Sequence, residues 1–198
     1  MSSSVAAPSK DERRAQFRAY RGNLSDSTAR ARSALICHRA LAAPALSGAT
    51  TVHCYWPQSG THEVDTRPLI AALRASGRSI VLPVVTSYEP GAPTMAHHRY
   101  EGRDALTPNR WGIPEPTDTP AVPPSALDLV IVPALGVGRN GHRIGHGAGY
   151  YDAFLAEVAA PRVVLSYEDC VVDAVPGEPH DIPATAIVTE HAIYDIPS

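Results

Sequence analysis

Residues 128–155, DLVIVPALGVGRNGHRIGHGAGYYDAFL, decide how the chain is read. A continuous apolar run opens the stretch, six glycines follow among basic residues, and an aromatic pair leads into an amphipathic segment. That order is strand, anion-ready loop, helix. Gly136, Gly138, Gly141, Gly145, Gly147 and Gly149 remove side chains where a ligand's charged groups would meet backbone N–H donors, and Arg139, His142, Arg143 and His146 place positive charge among them. The helix is expected to begin at Tyr150, Tyr151 and Asp152, its first N–H groups adding to the pull on an anion.

Outward from this stretch the pattern repeats. On the N-terminal side, KDERRAQFRAYR (10–21) predicts a helix with Lys10 and Arg14 one turn apart on one face. That pair is either a solvated face or two cations reaching one polyanion. Ser25 is a candidate N-cap for a second helix running to Leu41 and stopped by Pro44. TTVHCYW (50–56) predicts a strand, Thr66 and Pro68 open a third helix that Gly77 closes, and SIVLPVV (79–85) predicts a further buried strand. Glu63 and Asp65 then fall after a strand and before a helix, at the sheet edge where α/β proteins bind ligands. Residues 86–126, rich in Pro, Thr and Ala with a weak signal over 97–106, predict irregular structure folded over the domain. Within them Trp111 is either a packed loop anchor or a flat wall for an aromatic ligand. On the C-terminal side RVVLSY (162–167) and TAIVT (185–189) predict two more strands. The whole predicts an α/β fold, a mostly parallel sheet flanked by helices in a Rossmann-like three-layer arrangement.

The chain has 198 residues, 44% of them hydrophobic and 19% charged, which suits one domain (10–198) behind a disordered leader (1–9). A net charge of −3 argues against nucleic acid as a partner. With no bilayer-length apolar run and a polar N-terminal stretch, a soluble, unexported, cytoplasmic protein is expected. Cys37, Cys54 and Cys170 are widely spaced and odd in number, so buried free thiols are expected rather than disulfides or a structural zinc site.

Neither common phosphate loop fits. GxxxxGK[ST] is absent, and the GxGxxG spelled by Gly136, Gly138 and Gly141 is followed by more glycines where a dinucleotide fold needs its helix. The sequence instead resembles the 5-formyltetrahydrofolate cyclo-ligase (methenyltetrahydrofolate synthetase) family. Pro133, Gly141, Arg143, Ile144, Gly145, Gly147, Gly149, Tyr150, Tyr151 and Asp152 match its central signature. Lys10 with Arg14, EVDT (63–66), LPVV and WGIPEP (111–116) agree in order, so the resemblance spans roughly residues 10 to 190.

The resemblance implies closure of 5-formyltetrahydrofolate to 5,10-methenyltetrahydrofolate, with ATP consumed and Mg²⁺ assisting. By the same resemblance Lys10, Arg14, Gly141, Arg143, Gly145, Gly147, Gly149 and Tyr150 bind ATP. Glu63, Trp111, Tyr150 and Tyr151 line the reduced-folate pocket, and Arg143, Tyr151 and Asp152 carry the chemistry. The family's two metal-associated aspartates correspond here to Gly138 and Thr185, with Asp152 and Asp181 as possible stand-ins. A second reading therefore stays open. In it a diverged member performs an ATP-independent cyclisation or dehydration, with His142 and His146 as acid/base groups, or only binds a folate-like ligand.

Overall fold

A computed structural model describes residues 8–89, 91–179 and 181–197. The expected leader falls largely on residues 1–7, outside the described residues, but Ser9 already belongs to the fold. It caps α1 (Lys10–Gly22) in a reciprocal capping box with Glu12. Ser25 caps α2 (Asp26–Leu41), accepting from Thr28 N at 3.1 Å. Along α2 the buried residues Ala29, Ser33, Ile36, Cys37 and Ala40 recur at helical spacing, the stripe that faces the sheet.

β1 (Thr51–His53) is shorter than the sequence predicts, because beyond Cys54 the chain leaves the sheet to build a cavity wall. α3 (Arg67–Ala75) has Pro68 in its first turn and buries Leu69, Ile70 and Leu73, each worth about 1.5–3 kcal/mol of burial. Gly77, at φ 85°, turns the chain out of the helix. β2 (Ser79–Ser87) pairs with β1 only over Ser79–Val81, so Pro83 deprives no neighbour of a bond on that side.

The expected irregular segment is more ordered than its composition suggests. β3 (Thr94–Arg99) pairs antiparallel with β2, and β4 (Leu106–Pro108) and β5 (Pro114–Pro116) form a small hairpin set against β2. After β6 (Leu129–Val132) the glycine stretch is not one open loop. β7 (Gly136–Gly138) and β8 (Arg143–Ile144) form a hairpin, and only then does α4 (Tyr150–Leu155) begin. β9 (Arg162–Leu165), β10 (Val171–Val172), β11 (Ala186–Val188) and β12 (Ile193–Asp195) complete the chain, with β10 pairing β7.

The seven-stranded sheet has the order β12-β11-β9-β6-β1-β2-β3, parallel except for its two outermost pairings. The expected fold class therefore holds. Strand residues alternate between two cores. Val52, Ile80, Leu82, Leu129, Ile131, Val163 and Leu165 pack with α1, α2 and α3, whereas Val81, Val130, Val132, Val164 and Ile187 pack with Phe154 and Leu155 of α4. From β1 the chain crosses to β2 on one side and later returns to β6 on the other. The sheet thus has a topological switch point between β1 and β6, and a crevice opens at their carboxyl ends.

No helix among the described residues is long and apolar enough to cross a membrane. Cys37, Cys54 and Cys170 are buried and free, and burial pushes the Cys37 thiol up to about 12.

Candidate active site

At that crevice lies a cavity of about 600 Å³, within the range of small-molecule sites. Tyr55, Trp56, Gln58 and Glu63 enter from the carboxyl end of β1, and Pro133 from the end of β6. Lys10 and Arg14 reach in from α1, and Trp111 and Glu115 from the β4–β5 hairpin. Residues 143–152 close the remaining wall.

Three cations converge on it. Lys10 Nζ lies 2.7 Å from Asp181 Oδ2 and 3.1 Å from Glu178 Oε1, and its pKa is raised: burial works against the charge, but the two carboxylates outweigh it. Arg14 donates from Nε to Gly145 O at 3.1 Å and pairs with Asp11. Arg143, with its side chain 7% exposed, donates to Ile182 O at 3.0 Å and to Asp152 Oδ1, which fixes the plane of its guanidinium. His146 lines the same wall. Desolvation first, and then the fields of Arg21, Arg18 and Arg14, lower its pKa, so its ring is neutral at pH 7.

The opposite wall is aromatic. Trp111 is 41% exposed and stands edge-on to Tyr88 (ring centroids 4.8 Å apart) and to Tyr150 (6.0 Å), so it serves as a wall rather than a packed anchor. Tyr150 is anchored by its hydroxyl to Ser87 O at 2.8 Å. The hydroxyl of Tyr151 is buried with no hydrogen-bond partner among the described residues, and burial holds its pKa well above the usual phenol range. Behind it sit two buried imidazoles. His97 Nδ1 lies 3.2 Å from His53 Nε2, and the His97 ring lies 3.9 Å from that of Phe154. Glu63 Oε2 accepts from Gln58 N at 3.0 Å, and burial raises its carboxyl pKa against the opposing field of Arg21.

Most expected site residues meet here: Lys10, Arg14, Glu63, Trp111, Arg143, Gly145, Gly147, Gly149, Tyr150, Tyr151 and Asp152 all line the cavity. Others do not. Gly141 lies outside the lining and turns the β7–β8 hairpin at φ 83°, its N–H bonded to Gly138 O. Gly136 is a glycine because a Cβ there would fall 2.3 Å from the Phe17 ring. At Gly138 a Cβ would fall 2.2 Å from Asn140 Oδ1 and 2.5 Å from Val175 N, so a side chain has no room. Thr185 spends its hydroxyl on the backbone of Arg162 at the amino edge of the sheet, opposite the cavity. His142 packs against Gly177 and not into the cavity, and Asp65 is held by Arg67. α4, six residues long and entered through left-handed Gly149, is too short for the expected helix-dipole contribution.

The sequence did not single out Tyr55, Trp56 or Glu178 as site residues, nor Glu115, which accepts from Val85 N and Asn109 Nδ2, and it named Pro133 only as part of the signature. Only the switch-point topology could have exposed the first two. Glu115 stands inside the WGIPEP motif but had no signal of its own. Asp181, named only as a stand-in, does face the cavity.

The profile of the 5-formyltetrahydrofolate cyclo-ligase family matches residues 6–190. The 5-formyltetrahydrofolate cyclo-ligase of Mycolicibacterium smegmatis is 33% identical over 143 residues, covering 70% of this chain and 73% of that protein. The Escherichia coli enzyme of the same name is 33% identical over 138 residues, 67% of this chain and 75% of its own. The solved structure of Aquifex aeolicus 5,10-methenyltetrahydrofolate synthetase superposes with a TM-score of 0.82 at 28% identity, covering 96% of this chain and 93% of that one. By the family match over most of its length and the identity to these relatives, and with the same fold, the chain belongs to the 5-formyltetrahydrofolate cyclo-ligase family.

Proposed function

We propose that the protein is a ligase that closes 5-formyltetrahydrofolate to 5,10-methenyltetrahydrofolate, converting ATP to ADP and phosphate. The observation that carries this reading is the convergence of Lys10, Arg14 and Arg143 on one cavity whose other wall is aromatic and contains Glu63.

In this mechanism the formyl oxygen attacks the γ-phosphorus of ATP as the bond to the β-phosphate oxygen breaks, releasing ADP. N10 of the folate then adds to the activated carbon and loses its proton, and phosphate leaves with the former formyl oxygen. Such a reaction needs positioning and charge neutralisation above all. Lys10, Arg14 and Arg143 supply the positive charge, and Asp152 holds the Arg143 fork for bidentate contact with phosphate oxygens. Glu63 accepts hydrogen bonds from the donor edge of the pterin. Trp111 and Tyr150 clamp the ligand's flat rings and keep water away from the activated carbon. The Tyr151 hydroxyl, without a hydrogen-bond partner among the described residues, would bond the substrate.

Mg²⁺ suits the hard oxygen donors of this wall, since it takes one or two carboxylates and completes its shell with phosphate oxygens. Among the described residues no group of three or more His, Cys, Asp and Glu side chains is placed to hold a metal ion, so a single carboxylate, Asp152 or Asp181, would be the protein's ligand, and the ion would supply further neutralisation of phosphate charge.

The test is incubation of the purified protein with 5-formyltetrahydrofolate, ATP and Mg²⁺, following methenyltetrahydrofolate absorbance and ADP together. The two should appear in equal amounts. Absence of both at every Mg²⁺ concentration would overturn the reading, and methenyl product formed without ATP would establish the ATP-independent alternative.

A further inference from the structure

Arg21 lies outside the cavity lining, yet it is the most deeply buried cation of α1, 2% exposed. Its Nη2 donates to Ala134 O, while Nε and Nη1 are buried with no hydrogen-bond partner among the described residues. Its own carbonyl accepts from His62 Nδ1 at 2.8 Å. The residue is thus tied on one side to the neighbour of Pro133 and on the other to the neighbour of Glu63, two residues that line the cavity from opposite lips of the switch point. A buried guanidinium with two idle nitrogens is costly, and folding alone gives little reason to keep one.

The charge of Arg21 acts on Glu63. The other groups coupled to this carboxylate are Cys54, Tyr55 and Tyr151, each pushed by burial toward its neutral form, together with the Gln58 N–H that donates to it. Arg21 is the cation of that set.

We propose that Arg21 is a positioning residue that acts through Glu63, holding its carboxyl closer to the acceptor form than burial alone would leave it, so that the cavity wall favours ligands with a hydrogen-bond-donor edge, such as an aminopyrimidine ring. The inference rests on the cyclo-ligase reading only for the identity of that ring. Desolvation alone would drive a carboxyl in this wall toward its neutral form, which would present a proton where the ligand also presents one. The buried guanidinium works against that burial effect without itself lining the cavity.

The experiment labels glutamate side chains with carbon-13 and follows the Glu63 carboxyl by NMR against pH, assigned by its loss in Glu63→Gln. Arg21→Met is expected to shift the Glu63 midpoint upward, and Arg21→Lys to return it most of the way. In the assay, KM for 5-formyltetrahydrofolate at about pH 6 should rise about tenfold in Arg21→Met with kcat changed less than about twofold. Circular dichroism checks the fold, and Arg21→Gln replaces Arg21→Met if the latter does not fold. A Glu63 midpoint unmoved in the folded neutral variant overturns the proposal. So does an equal shift in Arg21→Lys, which would assign the effect to packing. Because the NMR titration needs no substrate, an inactive wild-type protein would sink the cyclo-ligase reading and leave this result standing.

Discussion

From Gly136 to Gly141 an added Cβ would run into the Phe17 ring, the Asn140 side chain or the carbonyl of Ala184; from Gly145 to Gly149 it would meet nothing closer than 3.6 Å. The two halves of the glycine stretch look alike in sequence and do opposite jobs. In the first, glycine lets a small hairpin sink beneath α1 and against Ala174, Val175, Pro183 and Ala184. In the second, it leaves a cavity wall bare, with Gly147 and Gly149 in left-handed conformations that keep the chain open beside Arg14 and Pro93. Glycine thus marks close approach of protein in the first half and open cavity wall in the second.

Arg143 sits between the halves, and its removal should have the largest effect. Arg143→Ala is expected to lower kcat/KM about a thousandfold, the scale of losing a principal phosphate-side donor, and to weaken ATP binding by calorimetry. Unchanged nucleotide affinity would contradict its assignment.

Next in size is a pH effect under the second half, where α4 stands on two neutral histidines. Burial lowers the pKa of His97 to about 4 and that of His53 well below normal. The unfolded chain binds these protons near pH 6.5, so between roughly 6.5 and 4 it holds more protons than the native state and stability falls as pH falls. His97 alone should cost on the order of 3 kcal/mol across that window. Urea unfolding measured along the pH range checks this, and a slope reduced in His97→Phe, with the remainder lost when His53 is also replaced, would assign it.

The smallest effects separate the halves directly. Gly138→Asp should lose about 2–3 kcal/mol of stability by overpacking against Val175, and should fold poorly rather than gain a metal site. Gly147→Ala should cost only about 1 kcal/mol, from its φ of 95°, while raising KM for ATP. Thermal melts paired with steady-state kinetics decide; if Gly147→Ala proves the more damaging to stability, the division of labour fails.

Sequence reading recovered what local chemistry dictates. Ser25 and Pro68 announce helix starts, and apolar runs such as Leu129–Val132 announce buried strands. It missed what partners dictate. TMAHHR has little β-branched content and becomes a strand by pairing with β2, and Val171–Val172 by pairing with β7. The site was legible where the glycine signature and Lys10, Arg14, Glu63 and Trp111 are concerned. Arg21 was not, because Arg13, Arg14, Arg18 and Arg21 are alike in sequence and only the packed fold shows which one is buried.

The ion pair between Lys10 and Asp181 joins residues 171 positions apart at the mouth of the cavity. A chain made from its N-terminus holds one partner almost from the outset and must wait for nearly all the rest before the other exists. Loop closure over that span is slow to be rewarded, so the strands from β1 to β9 can pair before Lys10 meets this partner, whereas β11 and β12 lie beyond it in the chain. The pair is then expected to form late in folding, and a probe of Lys10 burial would time it.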